Sequence, residues 1–333
     1  MTATRLDVLG FGNAIVDVIA RAEEDFLLAH GMRKGGMALV DEARAIEIYR
    51  AMGPGIEISG GSAANTTVGV AALGGRAGFV GKVREDELGA IFGHDIRAAG
   101  ASFETPAAAD GPETARCLIV VTPDGERTMN TFLGAAQDLS PADVDEATVA
   151  AAAVTYLEGY LWDPPAAKQA FLKAAAIAHG AGREVALTLS DAFCVDRFRA
   201  EFLDLVRSGT VDLLFANETE LKALYETADF DDALVQLRRD ARRAVVTRSE
   251  KGALAIAGEH TAEVGAEPVE RVVDTTGAGD LFAAGYLYGH ARGFDPAVSL
   301  RLGAVCAAEI ISHLGARPET DLRALAAKAG LSL

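Results

Sequence analysis

Short apolar segments alternate with longer segments of helical periodicity along most of this chain. The apolar segments fall at residues 6–10, 77–80, 153–158, 185–189, 213–216, 244–247 and 252–257. Between them, apolar residues recur at helical spacing at 63–73, 88–99, 166–180, 197–208, 218–225 and 231–239. Strands that are apolar along their whole length are buried on both faces. The alternation therefore predicts an α/β protein, with a mostly parallel sheet covered by helices on both sides in three layers.

Two regions interrupt this alternation. Residues 33–60 and 112–134 contain short, half-polar segments punctuated by Gly, Pro and Asp, such as Thr-Pro-Asp-Gly-Glu at 122–126. The pattern predicts antiparallel hairpins, which do not extend a parallel core, so we expect a small β-lid over one edge of the sheet. The single chain then divides into a large domain (1–17, 61–111 and 135–333) and a lid (about 18–60 and 112–134).

The composition limits the classes of partner. The chain has 333 residues, half of them hydrophobic, and a net charge of −17 without a sustained basic patch, which argues against nucleic acid and anionic membranes as partners. Three widely spaced cysteines lack metal-ligand spacing and are typical of reduced thiols. No signal-peptide pattern or 18-residue apolar run is present, so we expect a soluble, cytoplasmic protein.

The most informative motif is Asp-Thr-Thr-Gly-Ala-Gly-Asp at residues 274–280, followed by a run of small residues. A turn at Gly277, Ala278 and Gly279 that opens a helix presents several backbone N–H groups, and the helix dipole favours an anion there. A carboxylate beside such a site is repelled by phosphate, unless it deprotonates the hydroxyl that attacks the phosphate. Asp280 is therefore a candidate base, and the alternative interpretation is a helix N-cap.

A second group of candidates lies near the first predicted strand. Asn13 and Asp17 follow this strand, at the carboxyl end where α/β proteins bind ligands. Asp17 suits a vicinal diol, although a carboxylate alternating with apolar residues also fits the outward face of a strand. Gly60 and Gly61 precede a helix whose first turn carries Asn65, which is either an amide ligand for substrate or an ordinary helix-start residue.

Two further candidates concern the phosphates and their counter-ions. Asn217 and Glu220 come just after the strand at 213–216, either as a helix start with favourable first-turn acids or as ligands of a metal ion. Arg127 lies in the second lid segment, either as a solvated hairpin charge or as a lid arginine that neutralises a transferring phosphoryl group.

Together these motifs resemble those of the ribokinase-like (PfkB) carbohydrate and nucleoside kinases, in the same order and from about residue 6 to about residue 318. The run at 274–280 is similar to the C-terminal motif of that family, and Gly-Gly-Ser-Ala-Ala-Asn at 60–65 is similar to its first motif. The resemblance implies a ribokinase-like fold and direct in-line transfer from ATP. Asp280 would be the base, and the 277–279 turn together with Arg127 would hold the phosphoryl group.

The resemblance also assigns the cofactors. Mg²⁺ would be held through water by Asn217 and Glu220, and Asp274 and Thr276 occupy the position where many relatives seat a monovalent cation such as K⁺. The implied ATP contacts are Asn217, Thr247, Ser249, Gly252, Thr275, Gly277 and Gly279.

Within the family, the segments at 155–160, 189–193 and 211–220 are most similar to those of adenosine kinases. This likeness implies phosphorylation of a nucleoside 5′-hydroxyl, with adenosine converted to AMP in purine salvage. Asp17 and Asn65 would hold the ribose hydroxyls, the backbone of Gly61 would approach the ring, and Tyr160 and Phe193 would surround the adenine. Met37 stands in the lid where the eukaryotic enzymes carry an amide, so base recognition is expected to differ.

Two other functions compete with this one. A sugar kinase of the same fold would act on ribose, fructose or a keto-deoxy sugar acid, and a non-catalytic sensor would bind a nucleoside without turnover. The stacking of a base by Tyr160 and Phe193 distinguishes the nucleoside kinase from the sugar kinase. The two long lid segments favour a monomer, and pairing of lids in a homodimer is the alternative.

Overall fold

The computed structural model describes residues 5–333, and within them the chain forms fourteen β-strands and twelve α-helices. The strands are β1 (Leu6–Phe11), β2 (Ile15–Arg21), β3 (Met37–Leu39), β4 (Gly55–Gly60), β5 (Ala77–Val80), β6 (Ala101–Phe103), β7 (Ala115–Val121), β8 (Arg127–Phe132), β9 (Ala152–Glu158), β10 (Glu184–Thr188), β11 (Leu213–Asn217), β12 (Arg243–Thr247), β13 (Ala253–Ala257) and β14 (His260–Val264). The helices are α1 (Glu24–Ala29), α2 (Glu42–Ala51), α3 (Ser62–Ala72), α4 (Glu87–Ala98), α5 (Glu146–Ala151), α6 (Pro165–Gly180), α7 (Ala192–Arg207), α8 (Glu218–Leu224), α9 (Phe230–Asp240), α10 (Ala278–Ala291), α11 (Pro296–Ile310) and α12 (Leu322–Lys328).

Nine strands form one large sheet in the order β14-β13-β12-β11-β10-β9-β1-β5-β6. The seven strands from β12 to β6 are parallel, and β13 and β14 extend the sheet as an antiparallel edge. Side chains on neighbouring positions of a strand point to opposite faces. Accordingly Val8 of β1 joins the core shared with α3, α4, α10 and α11, and Leu9 joins the core shared with α6 to α9. The predicted mostly parallel sheet between two helical layers is confirmed.

A smaller sheet of five strands has the order β3-β8-β7-β2-β4. The hairpin expected within residues 112–134 is confirmed, because β7 and β8 pair in antiparallel fashion across the turn at 122–126. The hairpin expected within 33–60 is wrong. This segment contains helix α2, capped by Asp41, and its strands β3 and β4 lie on opposite edges of the sheet. The β2–β7 and β3–β8 pairs are parallel, so the small sheet is mixed.

The small sheet begins close to the end of the first strand of the large sheet. Phe11 ends β1 and Ile15 starts β2, so the domain boundary expected at residue 17 falls inside a strand, and the division of the chain into large domain and lid stays a prediction. In the described part of the chain, no helix is both long enough and apolar enough to span a bilayer.

Candidate active site

A cavity of about 900 Å³ is bounded both by ends of large-sheet strands and by the small sheet. Thr188 of β10 and Thr247 of β12 contribute from the large sheet, and Asp17 and Met37 contribute from the small one. The carboxyl ends of parallel strands are where open α/β sheets bind ligands. Most of the predicted site residues line this single cavity, namely Asn13, Asp17, Met37, Gly61, Asn65, Tyr160, Phe193, Asn217, Glu220, Thr247, Thr275, Thr276, Gly277, Ala278, Gly279 and Asp280.

The glycine turn opens helix α10 as the motif predicts. Gly277 is the residue before the helix and has the left-handed φ of 78°, which a residue with a side chain adopts only with strain. A Cβ at this position would also lie 2.8 Å from the Cβ of Ala316. The first intrahelical bond runs from Leu281 N–H to the Gly277 carbonyl at 2.9 Å. Ala278 N–H donates to the Thr275 carbonyl at 3.2 Å, whereas the N–H groups of Gly279 and Asp280 precede the first intrahelical bond and are available to an anion in the cavity.

Asp280 stands in this first turn, three residues after Gly277, so the helix N-cap interpretation of Asp280 is wrong. Its Oδ1 accepts a hydrogen bond from Ser62 Oγ at 2.6 Å, and its Oδ2 accepts one from Asn65 Nδ2 at 2.9 Å. Burial raises the pKa of Asp280, although the two hydrogen bonds and the charge of Arg317 act in the opposite direction. A carboxylate with a raised pKa is a stronger base, which suits it to accept a proton.

Asn65 has one polar atom without a partner. Its Nδ2 donates to Asp280, but its Oδ1 is buried and accepts no hydrogen bond within the described residues. Buried acceptors in folded proteins are almost always satisfied. Because Asn65 lines the cavity, the missing donor is best supplied by a hydroxyl or amine of a bound ligand.

Glu158, at the end of β9, organises the neighbouring walls. Its carboxylate accepts from Asn13 N–H at 3.2 Å, from Asn13 Nδ2 at 2.7 Å and from Ala63 N–H at 2.8 Å. Burial raises the pKa of Glu158 to about 7 even though these three bonds lower it. Gly61, between these elements, has a φ of 98°, and a Cβ there would lie 2.2 Å from the Asn13 carbonyl oxygen. Only glycine therefore allows the close approach of α3 to the Asn13 loop.

Asp17 lies on β2, across the cavity wall from the anion turn. Burial raises its pKa to about 6, while the charges of Arg317 and Arg127 lower it. Arg317 is held by the Ser59 and Ala64 carbonyls and by Ser59 Oγ at 2.7 Å. Arg317 thus places a buried positive charge near Asp17 and Asp280. Burial lowers the pKa of Arg317 itself.

Asn217 and Glu220 form a reciprocal capping box at the start of α8. Asn217 N–H donates to Glu220 Oε2 at 3.0 Å, and Glu220 N–H donates to Asn217 Oδ1 at 2.8 Å. The helix-start interpretation of the sequence is therefore correct for both residues. Both also line the cavity, so the cap does not exclude a contact with a hydrated cation. Burial raises the pKa of Glu220 to about 7, and the nearby charge of Asp191 adds to this shift.

Negative charge predominates among the charged residues that line the cavity. Among the described lining residues are six carboxylates and one guanidinium, namely Asp17, Glu158, Asp163, Asp191, Glu220, Asp280 and Arg197. Arg197 is already paired with Asp163 at 2.6 Å. A polyphosphate that enters this cavity needs positive charge beyond what the walls supply.

Two aromatic side chains lie on one wall of the cavity with much of their surface free. Tyr160 is 39% exposed and Phe193 is 62% exposed, so both rings leave surface free for a ligand in the cavity. Tyr160 N–H donates to Ser190 Oγ at 3.1 Å, and Ser190 has a left-handed φ of 71°. Non-glycine residues with a strained backbone are frequent at ligand sites, so the conformation of Ser190 also indicates binding here.

Five predicted site residues are not among those that line the cavity, namely Gly60, Arg127, Ser249, Gly252 and Asp274. Ser249 and Gly252 belong to a turn between β12 and β13, where Gly252 has a φ of 86° and a Cβ would lie 1.9 Å from the Val264 carbonyl oxygen. Gly60 packs directly against the Asp17 carboxylate, because a Cβ at this position would lie 2.4 Å from Asp17 Oδ2. The guanidinium of Arg127 donates to the Asp274 carboxylate, and its expected contact with a phosphoryl group stays a prediction.

Four residues that matter to the geometry are absent from the sequence-based site. Glu158 ends an apolar strand and Asp191 caps α7, so both positions have sufficient structural explanations on their own. Ser62 and Arg317 act through contacts with residues distant in the chain. The available signal was an acidic residue at the carboxyl end of β9 and another three residues after β10, because these ends lie at the ligand edge of a parallel sheet.

A glycine turn and a buried carboxylate meet in a cavity between a parallel α/β sheet and a small covering sheet. This combination defines a ribokinase-like phosphotransferase. The chain belongs to the pfkB family of carbohydrate kinases, whose family model matches residues 57–322.

Three known proteins illustrate what this chain is similar to. Adenosine kinase from Sinorhizobium meliloti is 54% identical in sequence, with a TM-score of 0.91, and the match covers 98% of this chain and 100% of that one. A probable sugar kinase protein from Rhizobium etli CFN 42 is 52% identical, with a TM-score of 0.92, and the match covers 99% of this chain and 100% of that one. An ATP-dependent ribose-1-phosphate kinase from Halopiger xanaduensis is 30% identical over 276 residues, 80% of this chain and 85% of that protein.

The family assignment fixes the reaction class. The protein is a phosphotransferase with an alcohol group as acceptor, and such kinases use ATP together with a divalent metal ion. The resemblance predicted from the motifs at 60–65 and 274–280 is confirmed.

Proposed function

We propose that this kinase transfers the γ-phosphoryl group of ATP to the 5′-hydroxyl of a nucleoside, with adenosine as the preferred substrate. The observation that carries the proposal is the cavity itself, which combines a base beside an anion turn with two exposed aromatic rings, Tyr160 and Phe193. A free sugar has no planar face to cover these rings, whereas base stacking on an aromatic ring contributes roughly 1–3 kcal/mol. The 54% identity to adenosine kinase from Sinorhizobium meliloti supports the same substrate class.

The ribose hydroxyls are bound by acceptors and donors on two elements. Asp17 of β2 accepts from the vicinal diol, and the unpartnered Oδ1 of Asn65 accepts from a hydroxyl beside it. Asn13, fixed by Glu158, adds a polar wall, and the backbone of Gly61 allows the ring to approach closely. Gly60 contributes indirectly because it packs against the Asp17 carboxylate.

Proton transfer is assigned to Asp280. Its carboxylate is oriented by Ser62 and Asn65, so the 5′-hydroxyl can replace or join one of these donors and then lose its proton to Asp280 as it attacks the γ-phosphorus. The negative charge that develops on the phosphoryl oxygens is stabilised by the amides of Gly277, Ala278 and Gly279. The guanidinium of Arg127 pairs with Asp274, so we assign the stabilisation of this charge to the turn.

The remaining ATP contacts come from the strand ends and loops beyond this turn. Thr247 and Thr275 line the cavity beside Asn217, whereas Ser249 and Gly252 shape the turn that follows β12. We assign Thr247 and Thr275 to direct contacts with the nucleotide. We assign Ser249 and Gly252 to the backbone of its binding loop.

The residues present fit a hydrated Mg²⁺ ion. Glu220 lines a cavity rich in carboxylates, and burial raises its pKa to about 7. In residues 5–333 no group of three or more His, Cys, Asp and Glu is arranged as a metal cage, which suits an ion that keeps most of its water shell. Glu220 and Asn217 would hold this shell, and the ion would neutralise phosphate charge during transfer.

A sugar kinase is the second candidate. The 52% identity to a probable sugar kinase protein from Rhizobium etli and the 30% identity to a ribose-1-phosphate kinase favour it. A sugar would use Asp17, Asn65 and Asp280 in the same way and leave Tyr160 and Phe193 uncovered.

The test is the formation of ADP from ATP with adenosine, inosine, guanosine, ribose and fructose side by side, in the presence of Mg²⁺. We expect kcat/KM to be highest for adenosine, and the product to be AMP. Turnover of free sugars alone would replace the nucleoside proposal by the sugar-kinase one. Binding of adenosine without any turnover would instead indicate a nucleoside sensor.

A further inference from the structure

Asp274 is the first residue of the phosphate-binding motif, and its carboxylate is fully engaged. Oδ1 accepts from Thr276 N–H at 3.0 Å and from Thr276 Oγ1 at 2.7 Å. Oδ2 accepts from Gly315 N–H at 2.9 Å and from Nη1 of Arg127. A carboxylate offers about four acceptor positions, and four donors fill them here.

Arg127 reaches Asp274 from the small sheet. It is the first residue of β8, and 147 positions separate it from Asp274 in the chain. The side chains of Arg127 and Asp274 are only 8% and 6% exposed, so water screens this ion pair weakly. Burial alone would raise the pKa of Asp274, but the hydrogen bonds from Gly315 and Thr276 and the charge of Arg127 lower it, which keeps this carboxylate ionised.

This arrangement does not fit the monovalent cation expected from the sequence at Asp274 and Thr276. A K⁺ ion needs free oxygen lone pairs and an environment without a competing cation, because like charges at contact distance repel. Both Asp274 oxygens are already bonded to donors, and one of these donors is itself a cation, the guanidinium of Arg127.

We propose that Arg127 is the built-in counter-ion of Asp274 and that the kinase therefore reaches full activity without a monovalent cation. Thr276 and Gly315 are tied to the same carboxylate, so the guanidinium of the small sheet sets the shape of the loop that leads into Gly277. Arg127 is thus a positioning residue: it acts on the phosphate turn through Asp274 and does not touch the substrate. This inference rests on the proposed kinase function only for its activity readout.

The first test uses the wild-type protein and varies only the monovalent cation. ATP turnover is measured with Mg²⁺ and the preferred acceptor in K⁺, Na⁺ and tetramethylammonium chloride at equal ionic strength. We expect kcat to agree within about twofold across the three salts, because the Asp274 carboxylate has no free acceptor position for a monovalent cation. A larger stimulation by K⁺ would overturn the proposal. Absence of turnover with every acceptor would contradict the proposed function instead, and the thermal midpoint in the three salts would then decide.

The second test replaces Arg127 by Met and asks whether a cation site appears. Without the guanidinium, K⁺ can enter beside Asp274, so we expect lower activity in tetramethylammonium and recovery of roughly tenfold in K⁺. The thermal midpoint of R127M should rise with K⁺ while that of the wild type stays constant. Arg21→Met is the matched control, because Arg21 is an exposed residue at the end of β2 in the same sheet. A folded R127M variant that ignores K⁺ would contradict a counter-ion role.

The third test separates this role from direct contact with a phosphoryl group. Asp274→Asn keeps the shape of the side chain but removes the charge that Arg127 balances. If Arg127 acts through Asp274, R127M should lower kcat no further, within about twofold, once D274N is present. Losses that multiply in the double variant would place Arg127 on the substrate and overturn the proposal. Measuring kcat and KM for ATP separately keeps a general loss of folded protein from imitating either result.

Discussion

Asn65 donates a hydrogen bond to Asp280 at 2.9 Å, although 215 positions separate the two residues in the chain. Asn65 belongs to the first turn of α3 and Asp280 to the first turn of α10, so two helix starts meet in the cavity. The bond leaves Asn65 Oδ1 without a donor and fixes the direction of the Asp280 carboxylate. In the proposed function, Asn65 would therefore both bind a substrate hydroxyl and orient the base that deprotonates another.

Replacement of Asp280 by Asn should remove the base while keeping the volume of the side chain. We expect kcat to fall by roughly 100- to 10,000-fold, the range typical of general-base catalysis, with little change in KM. Steady-state turnover of ATP measures the loss. Asp295→Asn is the control, because Asp295 caps α11 and Asn caps a helix equally well. A D280N variant that keeps most of its kcat would assign the base elsewhere.

Gly277→Ala should distort the anion turn. The left-handed φ of 78° adds about 1 kcal/mol of strain for Ala, and the new methyl group would meet Ala316. We expect lower kcat and a higher KM for ATP. Gly182→Ala provides the control, since Gly182 has a φ of 68° but open space around it, so it should lose stability with normal turnover. Equal kinetics for the two variants would argue against a phosphate role for the turn.

Truncation of Tyr160 or Phe193 to Ala should weaken nucleosides selectively. Loss of one stacking surface should cost roughly 1–3 kcal/mol of kcat/KM for adenosine and leave any activity with ribose unchanged. Tyr49→Ala is a matched control, because Tyr49 is 38% exposed and lies outside the cavity. Equal losses for adenosine and ribose would mean that the rings support the fold and not the base.

Glu220→Gln should weaken the use of Mg²⁺ without unfolding α8, since Gln also completes a capping box. We expect the Mg²⁺ concentration for half-maximal rate to rise about 10- to 100-fold, as for other groups that support a metal through its ligands. Glu218→Gln in the same helical turn is the control, because its carboxylate pairs with Lys222 and Arg248. An identical Mg²⁺ dependence for both variants would exclude the assignment of Glu220.

The ligand-free protein should become more stable as the pH falls from 8 towards 5.5. Burial raises the pKa of Glu158 and of Glu220 from 4.5 to about 7, so the folded chain binds these protons more tightly than the unfolded chain. The free energy of unfolding from these groups is therefore largest below pH 4.5 and declines as the pH rises through 7. Thermal unfolding of wild type and E220Q should differ in slope over this window. A thermal midpoint that falls as the pH is lowered towards 5.5 would contradict the raised pKa values of Glu158 and Glu220.

The local pattern of the chain predicts seven of the nine strands of the large sheet, because these are buried along most of their length. The edge strands β6 and β14 are partly exposed and are not predicted. Strand β5 has the expected bounds, β9, β11 and β12 differ from expectation by one residue at one end, and β10 is displaced by one residue at both ends. The prediction for α7 starts five residues late, because Asp191 caps the helix before a non-helical Phe198. Helix α2 in the 33–60 segment is not predicted, because the Gly and Pro residues around it indicate turns of a hairpin. The helix lies between two strands that do not pair with each other.

The motifs locate the catalytic end of the cavity, but not the contacts that tune it. Asp280 is recognisable from its own neighbours in sequence, whereas its donor Ser62 is 218 positions away. Arg127 illustrates the same limit, because a hairpin arginine near a phosphate motif predicts a phosphate contact. Its actual partner depends on how the small sheet is placed over the loop that carries Asp274. Pairings between distant residues follow from tertiary packing, which a single sequence does not encode locally.

The strand order of the small sheet has a consequence for how the molecule is assembled. Its central strands β7 and β8 come from one part of the chain, while β3 on one side and β2 and β4 on the other come from a part made earlier. During synthesis, β2 and β4 can pair with each other, but β3 has no neighbour until β8 has emerged. Contacts that wait for distant segments form slowly. The cover of the cavity is thus expected to mature after the first strands of the large sheet, so a nascent chain remains unable to enclose ATP until late in its folding.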